Sequence, residues 1–421
     1  MAPLRSYQAV LRLPGYRWFW FGIVLSALGA EAGQLALGWL VRSLTASPVA
    51  VGLSLSLSRV TLAIGSLLAG LLLDRGSRRR WMALDNLLRA AALVGAALLA
   101  HAGALQGWHL YALGLLLGLS SALTRVGTVA LVPALVAPRP DLLATANALG
   151  QAEWQIATLV GPALGGLLVE KWSPPGVLLL QAASLVLMAW ILIRLPAAVD
   201  PPSSQPIPLW PSLWEGVRWF LGSRGLAALT ILTFLFNLLY GPFAVALYFY
   251  PDHLGTGPAG LGWLLSAFAA GSLAGGLITP SLGERPLRPT LAGIVLLWGL
   301  TTGSLAWTRS LVWALILMFL AGAAFSPYNV LATAARQRLL PREVYGRVFG
   351  LTLVLTQLGM PIGSWAGGKL VQGMGAPAAI GLAGLACLGL AAGAWRTGAL
   401  DALDCRSGRH SGPDQPEGSV H

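Results

Sequence analysis

The sequence predicts an all-α integral membrane protein with twelve transmembrane helices arranged as two six-helix pseudo-repeats. Its 421 residues are 56% hydrophobic and only 10% charged, which is too little charge for the surface of a soluble domain. Twelve segments reach the length of about 20 apolar residues that a membrane-spanning helix needs. The residue pattern of the first six segments also returns in the last six.

The predicted spans are separated by short loops, so the chain reverses its direction at each loop. The spans cover residues 17–41, 48–73, 81–101, 108–136, 142–169, 175–194, 226–250, 258–281, 290–307, 311–335, 345–371 and 376–396. Arginines concentrate in the loops on one side, whereas the loops on the other side contain only Arg42, Lys171 and Arg309. Because cytoplasmic loops carry the excess of basic residues, both termini are predicted to be cytoplasmic.

An internal repeat is carried by residues that recur at a nearly constant offset. The matched pairs are Pro48/Pro258, Gly52/Gly262, Ser56/Ser266, Gly65/Gly275, Asp74/Glu284, Arg75/Arg285, Gly161/Gly363, Gly165/Gly367 and Gly166/Gly368. Between the two halves, a Pro- and Ser-rich stretch is followed by apolar residues at helical spacing, which is typical of a linker and a surface helix. The predicted regions are an N-terminal six-helix bundle (1–195), a cytoplasmic linker with an amphipathic helix (196–224), a C-terminal six-helix bundle (225–398) and a disordered cytoplasmic tail (399–421).

The loop between the second and third spans carries the most specific pattern in the chain. It follows the form Gly-x-Leu-x-Asp-Arg-x-Gly-Arg-Arg/Lys at Gly70, Leu72, Asp74, Arg75, Arg78 and Arg79, with Ser77 in place of the second Gly. This loop resembles the signature of the major facilitator superfamily. The resemblance implies the major facilitator fold and a conformational gate at Gly70, Asp74, Arg75, Arg78 and Arg79. The matching loop of the second half keeps only Glu284 and Arg285.

Further stretches resemble particular branches of that superfamily. The fifth span contains the motif Gly161-Pro162-Ala163-Leu164-Gly165-Gly166, which is similar to the helix-bending motif of proton-driven exporters. Three other stretches resemble the branch of siderophore and macrolide exporters: Leu44-Thr45-Ala46-Ser47 with Gly52, Asp85-x-x-x-Arg89, and Pro138-Arg139 with Ala146-Asn147. These resemblances imply a secondary transporter in the bacterial inner membrane.

Four ionisable side chains fall near the middle of predicted spans, where each costs at least about 2.5–3.5 kcal/mol. They are Glu31, Arg59, Arg125 and Glu153. Two acids and two bases sum to zero charge, which suggests mutual pairing. Two interpretations remain open: a structural ion-pair network, or a proton site in which an acid exchanges a proton and an arginine favours its charged form.

Glu31 is the preferred proton carrier, because the first span lines the central cavity in the family that this chain resembles. Gly29 and Gly33 are predicted to leave room around it. Asp85 and Arg89, four residues apart on one helix face, are instead predicted to form a local salt bridge. The predicted substrate cavity of the second half contains Asn237, Tyr240, Trp263, Asn329 and Gln357, together with aromatic residues such as Phe268.

The predicted function is export of a hydrophobic or amphipathic small molecule of the drug or siderophore type by proton antiport with alternating access. The alternatives are a proton-independent uniporter or importer of the same fold, and a lipid-handling membrane protein without solute export. No nucleotide-binding loop, catalytic constellation or metal-ligand pattern is present, so we expect neither an enzyme nor a cofactor. The expected partners are the small molecule, protons and the lipid bilayer, with no nucleic acid, and the protein is expected to be a monomer.

Overall fold

The computed structural model describes residues 2–73, 77–196, 218, 220, 222–283, 285–340, 345–396 and 400. Within these ranges the chain consists of α-helices, one 3-10 turn and short connections. The N-terminal half contains α1 (Ala2–Leu11), α2 (Pro14–Thr45), α3 (Pro48–Leu73), α4 (Arg78–His101), α5 (Gly107–Leu135), α6 (Leu143–Trp172) and α7 (Pro174–Arg194).

The C-terminal half repeats the pattern of long helices. It contains α8 (Arg224–Ala246), the short α9 (Tyr250–Leu254), α10 (Pro258–Leu282), α11 (Leu287–Ser304), α12 (Leu311–Leu339), α13 (Tyr345–Gln357), α14 (Gly359–Met374) and α15 (Ala376–Arg396). Over the described residues, 11 helical stretches are long and apolar enough to cross a membrane. The remaining predicted span corresponds to α11, which has 18 residues and lies between α10 and α12. The predicted all-α membrane fold is confirmed.

The eleventh predicted span is interrupted between α13 and α14. Gln357 ends the first segment and Gly359 begins the second. Pro361 accounts for the interruption, because it has no N–H to donate to the carbonyl of Gln357 and its ring crowds that carbonyl. Together the two helices still form one apolar stretch, Val348–Met374, long enough to cross a bilayer.

The two halves pack their helices in the same way. In the first half α2 packs against α6 and α7, α3 against α5, and α4 against α7. In the second half α8 packs against α14 and α15, α10 against α12, and α11 against α15. Each of these contacts of the first half therefore has its counterpart in the second, as a duplicated six-helix unit requires.

The halves meet through two equivalent helix pairs, α3 with α14 and α6 with α10. Backbone packs on backbone at both places: a Cβ added to Gly52 would lie 3.5 Å from Cα of Gly368, and one added to Gly262 would lie 3.2 Å from Cα of Gly166. Such close approach in a membrane depends on residues without side chains. Gly52 matches Gly262 in the repeat and Gly368 matches Gly166, so the same contact is made twice.

These contacts lie toward one end of the bundle, which we name the closed end. It contains the turns at residues 46–47, 102–106, 247–257 and 375, whereas the opposite, arginine-rich end contains residues 12–13, 77, 136–142, 283, 285 and 286. Ser56 donates to the carbonyl of Pro361 at 2.7 Å, and its repeat counterpart Ser266 accepts from the backbone N–H of Ala163 at 3.1 Å. Every hydrogen bond between the halves in the described residues lies between that level and the closed end.

Several predicted features fall on residues that the structure does not describe. Asp74, Arg75 and Glu284 of the predicted gate are among them, as are residues 197–217 of the linker and the tail beyond residue 400. Of the gate residues that are described, Arg79 donates to the backbone carbonyls of Ile193 and Leu195 at the end of α7. This contact places a cation where the α7 carbonyls lack helical partners.

Candidate transport site

The candidate site lies between the two halves, where α2, α3 and α5 bring together three charged side chains. The carboxylate of Glu31 lies within electrostatic range of the guanidinium groups of both Arg59 and Arg125. Glu31 is partly buried, whereas both arginines are exposed although they lie well inside their helices. In the described part of the chain no hydrogen bond or ion pair joins Glu31 to either arginine. The acid is therefore close to both cations and bound to neither.

Glu153 stands apart from these three residues. It lies on α6 and its charge acts on Tyr16 of α2, whose hydroxyl donates to the carbonyl of Ala146 at 2.8 Å. No electrostatic influence of Arg59 or Arg125 on Glu153 is resolved. The predicted mutual pairing of all four charges is therefore absent in this conformation: the structure brings three of them together.

The space around Glu31 is provided by Gly161, which the sequence analysis assigned only to the helix-bending motif. A Cβ added to Gly161 of α6 would lie 2.5 Å from the Cβ of Glu31, so only glycine allows this contact. Gly29 and Gly33 do not leave room for Glu31, and that prediction was wrong. They face Ser184 and Gln181 of α7, because residues two positions apart on a helix point to different sides. The Gly161-Pro162 motif thus belongs to the site.

Aromatic rings of the second half lie across from Arg59. Tyr240 and Tyr248 of the second half lie within electrostatic range of Arg59. Tyr240 belongs to a continuous group of rings, which we name the aromatic wall. Its members Tyr240, Phe268 and Phe325 are partly exposed, and behind them Phe236, Phe243, Trp298 and Tyr328 are buried within the second bundle. The ring centroids of Tyr240 and Phe325 are 5.1 Å apart, and those of Phe236 and Tyr328 are 4.6 Å apart. These distances are typical of packed aromatic pairs.

The predicted cavity residues of the second half are divided by the structure. Tyr240 lies in the aromatic wall, while Asn237 donates to the carbonyl of Thr356 and Asn329 to that of Phe325, at 2.9 and 3.0 Å. Trp263 and Gln357 are exposed side chains outside the wall. Sequence reasoning missed most of the wall, although the spacing of Phe236, Tyr240 and Phe243 along one helix face is visible in the sequence.

A charged contact closes the site on one side. Arg42, at the end of α2, donates to both carboxylate oxygens of Asp252 at 2.5 and 2.6 Å and to the carbonyl of Tyr248 at 2.7 Å. Its guanidinium also lies over the ring of Trp39, 4.2 Å from the centroid. Nearby, Glu170 accepts from the N–H of Ala259 at the start of α10. Sequence reasoning used Arg42 only as a topology marker.

The salt bridge predicted between Asp85 and Arg89 is confirmed, at 3.0 Å. Both side chains are buried, and Thr124 of α5 donates to the same carboxylate oxygen at 2.6 Å. Arg89 also donates to the hydroxyl of Thr124 and to the amide oxygen of Asn86. The group joins α4 to α5 inside the first bundle.

Residues 5–415 match the family described as transmembrane secretion effector. The chain belongs to this family. The predicted resemblance to the major facilitator superfamily and to its drug-efflux branch is confirmed, and the members of this family are multi-pass membrane transporters.

Named relatives cover nearly the whole length of the chain. The multidrug efflux pump Tap of Mycobacterium bovis is 28% identical over 412 residues, covering 95% of this chain and 97% of its own. Macrolide efflux protein A of Streptococcus pyogenes is 25% identical over 350 residues, covering 82% and 86%. Among solved structures, a variant of the nucleoside transporter NupG superposes with a TM-score of 0.74 at 14% identity, covering 92% of this chain and 99% of its own. That likeness concerns the fold alone.

Proposed function

We propose that this member of the family exports an amphipathic small molecule in exchange for protons, by alternating access of one central site. The relatives named as multidrug and macrolide efflux pumps support export of such a molecule. The charged first half and the aromatic second half support an amphipathic substrate, because one surface offers charge and the other offers apolar ring faces.

The observation that carries the proposal is the position of Glu31. Its carboxylate lies near Arg59 and Arg125 without a fixed bond to either, at the level where Arg59 also acts on Tyr240 of the other half. A structural ion pair inside a protein normally has direct contact, because only close geometry offsets the cost of desolvating both ions. An acid held near two cations without such contact suits a group that changes its protonation state.

The proton and the substrate are coupled through this acid. Burial favours neutral Glu31, whereas approach of an arginine favours the charged form. Rotation of one half against the other changes the burial of Glu31 and its distance from Tyr248 of the second half, which lies within electrostatic range of it. The conformation therefore biases protonation, and protonation biases the conformation by the same free energy. Glu153, on α6 near Tyr16, is the candidate for a second proton carrier.

The membrane orientation follows from the arginine distribution. The arginine-rich end is cytoplasmic with both termini, in the bacterial inner membrane, and the closed end faces outward. In that orientation the contacts at Arg42, Ser56 and Ser266 close the outer side. The protein acts as a monomer, because each chain contains both halves of the site.

Transport into proteoliposomes under an imposed pH gradient tests the proposal, with ligand binding measured in parallel. Glu31→Gln mimics the protonated acid, so it should retain binding of a fluorescent amphipathic dye and abolish pH-driven accumulation. Asp141→Asn, an acid-to-amide change in an exposed turn paired only with Arg139, is the matched control and should transport normally. Glu153→Gln reports whether the second acid shares the role. Wild-type accumulation in both Glu31→Gln and Glu153→Gln would contradict proton antiport and favour a uniporter.

A further inference from the structure

A groove on the second half lies away from the transport site. It is a cavity of about 380 Å³ between α10 and α12, near the arginine-rich end, lined by Gly276, Thr279, Pro280, Gly283, Val330, Leu331 and Arg338. Its size falls in the range of small-molecule sites, about 300–1,000 Å³. Among the described residues of this lining, Arg338 is the charged one, and it is exposed.

The groove forms because α10 and α12 separate along their length. Toward the closed end they touch backbone to backbone, and a Cβ added to Gly275 would lie 2.9 Å from Cα of Ala323. Farther along, a Cβ on Gly276 would lie 3.3 Å from the Ser326 hydroxyl, and one on Gly283 would come no nearer than 4.0 Å to α12. Pro280 and Pro327 both lie inside their helices over this stretch, where each removes a backbone hydrogen bond.

The groove opens away from the transport site. Tyr328 and Arg336 of α12 both contact the hydroxyl of Thr233 and so mark the face of α12 toward α8. Val330 and Arg338 each follow one of these residues by two positions, which places them about 160° around the helix. They therefore face the perimeter of the bundle, where hydrocarbon surrounds a membrane protein.

The surfaces beside the groove are apolar and exposed. Val330, about 12 Å before Arg338 along the axis of α12, is 49% exposed. On α10, Leu277 and Ile278 are 77% and 55% exposed. Arg338 lies in the last turn of α12, at the depth of the headgroups. An apolar track that ends in an arginine matches a molecule with acyl chains and a phosphate.

We propose that this groove binds an anionic phospholipid of the leaflet at the arginine-rich end, with its phosphate on Arg338 and its acyl chains along Leu277, Ile278 and Val330. Basic pockets between spanning helices bind anionic headgroups in this way. The guanidinium presents paired donors to phosphate oxygens. The glycines leave room in the groove for the glycerol region of the lipid. A zwitterionic phospholipid has the same glycerol region but lacks the net negative charge that Arg338 attracts.

Thermal unfolding of the full-length protein in detergent, with added lipid, tests the assignment, because a ligand of the folded state raises Tm. Palmitoyl-oleoyl phosphatidylglycerol should raise Tm more than palmitoyl-oleoyl phosphatidylcholine, which has the same chains. Arg338→Gln should weaken the phosphatidylglycerol effect about fivefold in lipid concentration, the equivalent of about 1 kcal/mol per basic residue, and Arg338→Lys should recover part of it.

Two further variants separate the groove from general charge. Gly283→Phe fills the groove without changing charge, and should abolish the preference for phosphatidylglycerol. Arg224→Gln removes an exposed arginine at the same end, and should keep the preference. Equal shifts with both lipids, or an unchanged preference in Arg338→Gln, would overturn the proposal. A shift of the same size with glycerol phosphate alone would assign the groove to a soluble phosphate and overturn the lipid assignment.

Discussion

Gly161 of α6 faces Glu31 of α2 so closely that no larger residue fits between the helices. A Cβ at Gly161 would lie 2.5 Å from the Cβ of Glu31 and 3.4 Å from the carbonyl oxygen of Leu28. The helix-bending motif and the proposed proton carrier are thus one structural unit. Displacement of α6 would change the surroundings of Glu31 directly.

Gly161→Ala should therefore impair both stability and pH-driven transport. Overpacking a close contact typically costs about 1–3 kcal/mol, and the displaced helix alters the environment of Glu31. Gly150→Ala on the same helix is the control, because a Cβ there meets no atom within 4 Å and alanine favours helix by about 1 kcal/mol. Thermal unfolding and proteoliposome transport measure both effects. Normal transport by Gly161→Ala at unchanged Tm would contradict the contact.

The ion pair between Arg42 and Asp252 should hold the closed end shut. Asp252 is 63% exposed, so the pair contributes at most about 1 kcal/mol, or about a fivefold change in the ratio of closed to open molecules. Asp252→Asn should lengthen spin-label distances between the halves at the closed end. The charge exchange Arg42→Asp with Asp252→Arg should restore them, while Arg309→Gln in a nearby loop should change nothing. Unchanged distances in Asp252→Asn would show that the pair does not act as a latch.

The two glycine contacts between the halves should be equivalent. Gly52→Val and Gly262→Val each place a side chain against the backbone of the opposite half, so each should hold the closed end apart. Labelling of a cysteine introduced at the level of Ser56 by a membrane-impermeant reagent, added from the closed end, should increase in both variants to a similar degree. Gly293→Val, on a glycine of α11 with no atom near its Cβ position, should label as wild type. An effect confined to one of the two variants would contradict the symmetry.

The aromatic wall should contribute to binding of amphipathic molecules. Phe325→Ala removes a ring that contacts Phe236, Tyr240 and Phe268. Removal of a stacking ring and its buried area should weaken dye binding by about 10-fold or more. Trp307→Ala, at a side chain that is 75% exposed, is the control for loss of a ring. Equal dye affinity in Phe325→Ala and the wild type would exclude the wall from the substrate site.

Asp85→Asn should destabilise the protein more than simultaneous loss of both partners. The single change leaves the buried guanidinium of Arg89 without its carboxylate, and such changes cost about 3–5 kcal/mol. The double variant Asp85→Leu with Arg89→Met replaces the pair by apolar side chains and should recover much of that loss. Thermal unfolding in detergent decides between them. If the double variant were the less stable protein, the charges would have a role beyond filling the contact between α4 and α5.

Much of the fold was determined by the sequence itself. Each span can be recognised from its own residues, because the bilayer imposes its cost on every segment separately. The loop arginines likewise predict the orientation of the chain, because basic residues are in excess in cytoplasmic loops. The Asp85–Arg89 salt bridge was also predictable, since helix geometry alone brings residues four positions apart together. The repeated glycines and serines of the two halves pointed to equivalent positions before their contacts were known.

Only the tertiary structure decided which of these side chains meet. Glu31, Arg59, Arg125 and Glu153 share a depth in the membrane, yet depth does not define the side of the helix from which each projects, and Glu153 lies apart. The aromatic wall draws on α8, α10, α11 and α12, and Arg42 meets Asp252 across the two halves. Helix rotation and packing create such contacts, because they depend on how small residues let particular faces approach. A local sequence pattern predicts how deep a side chain lies in the membrane, but only the packing of the helices determines which residue it contacts.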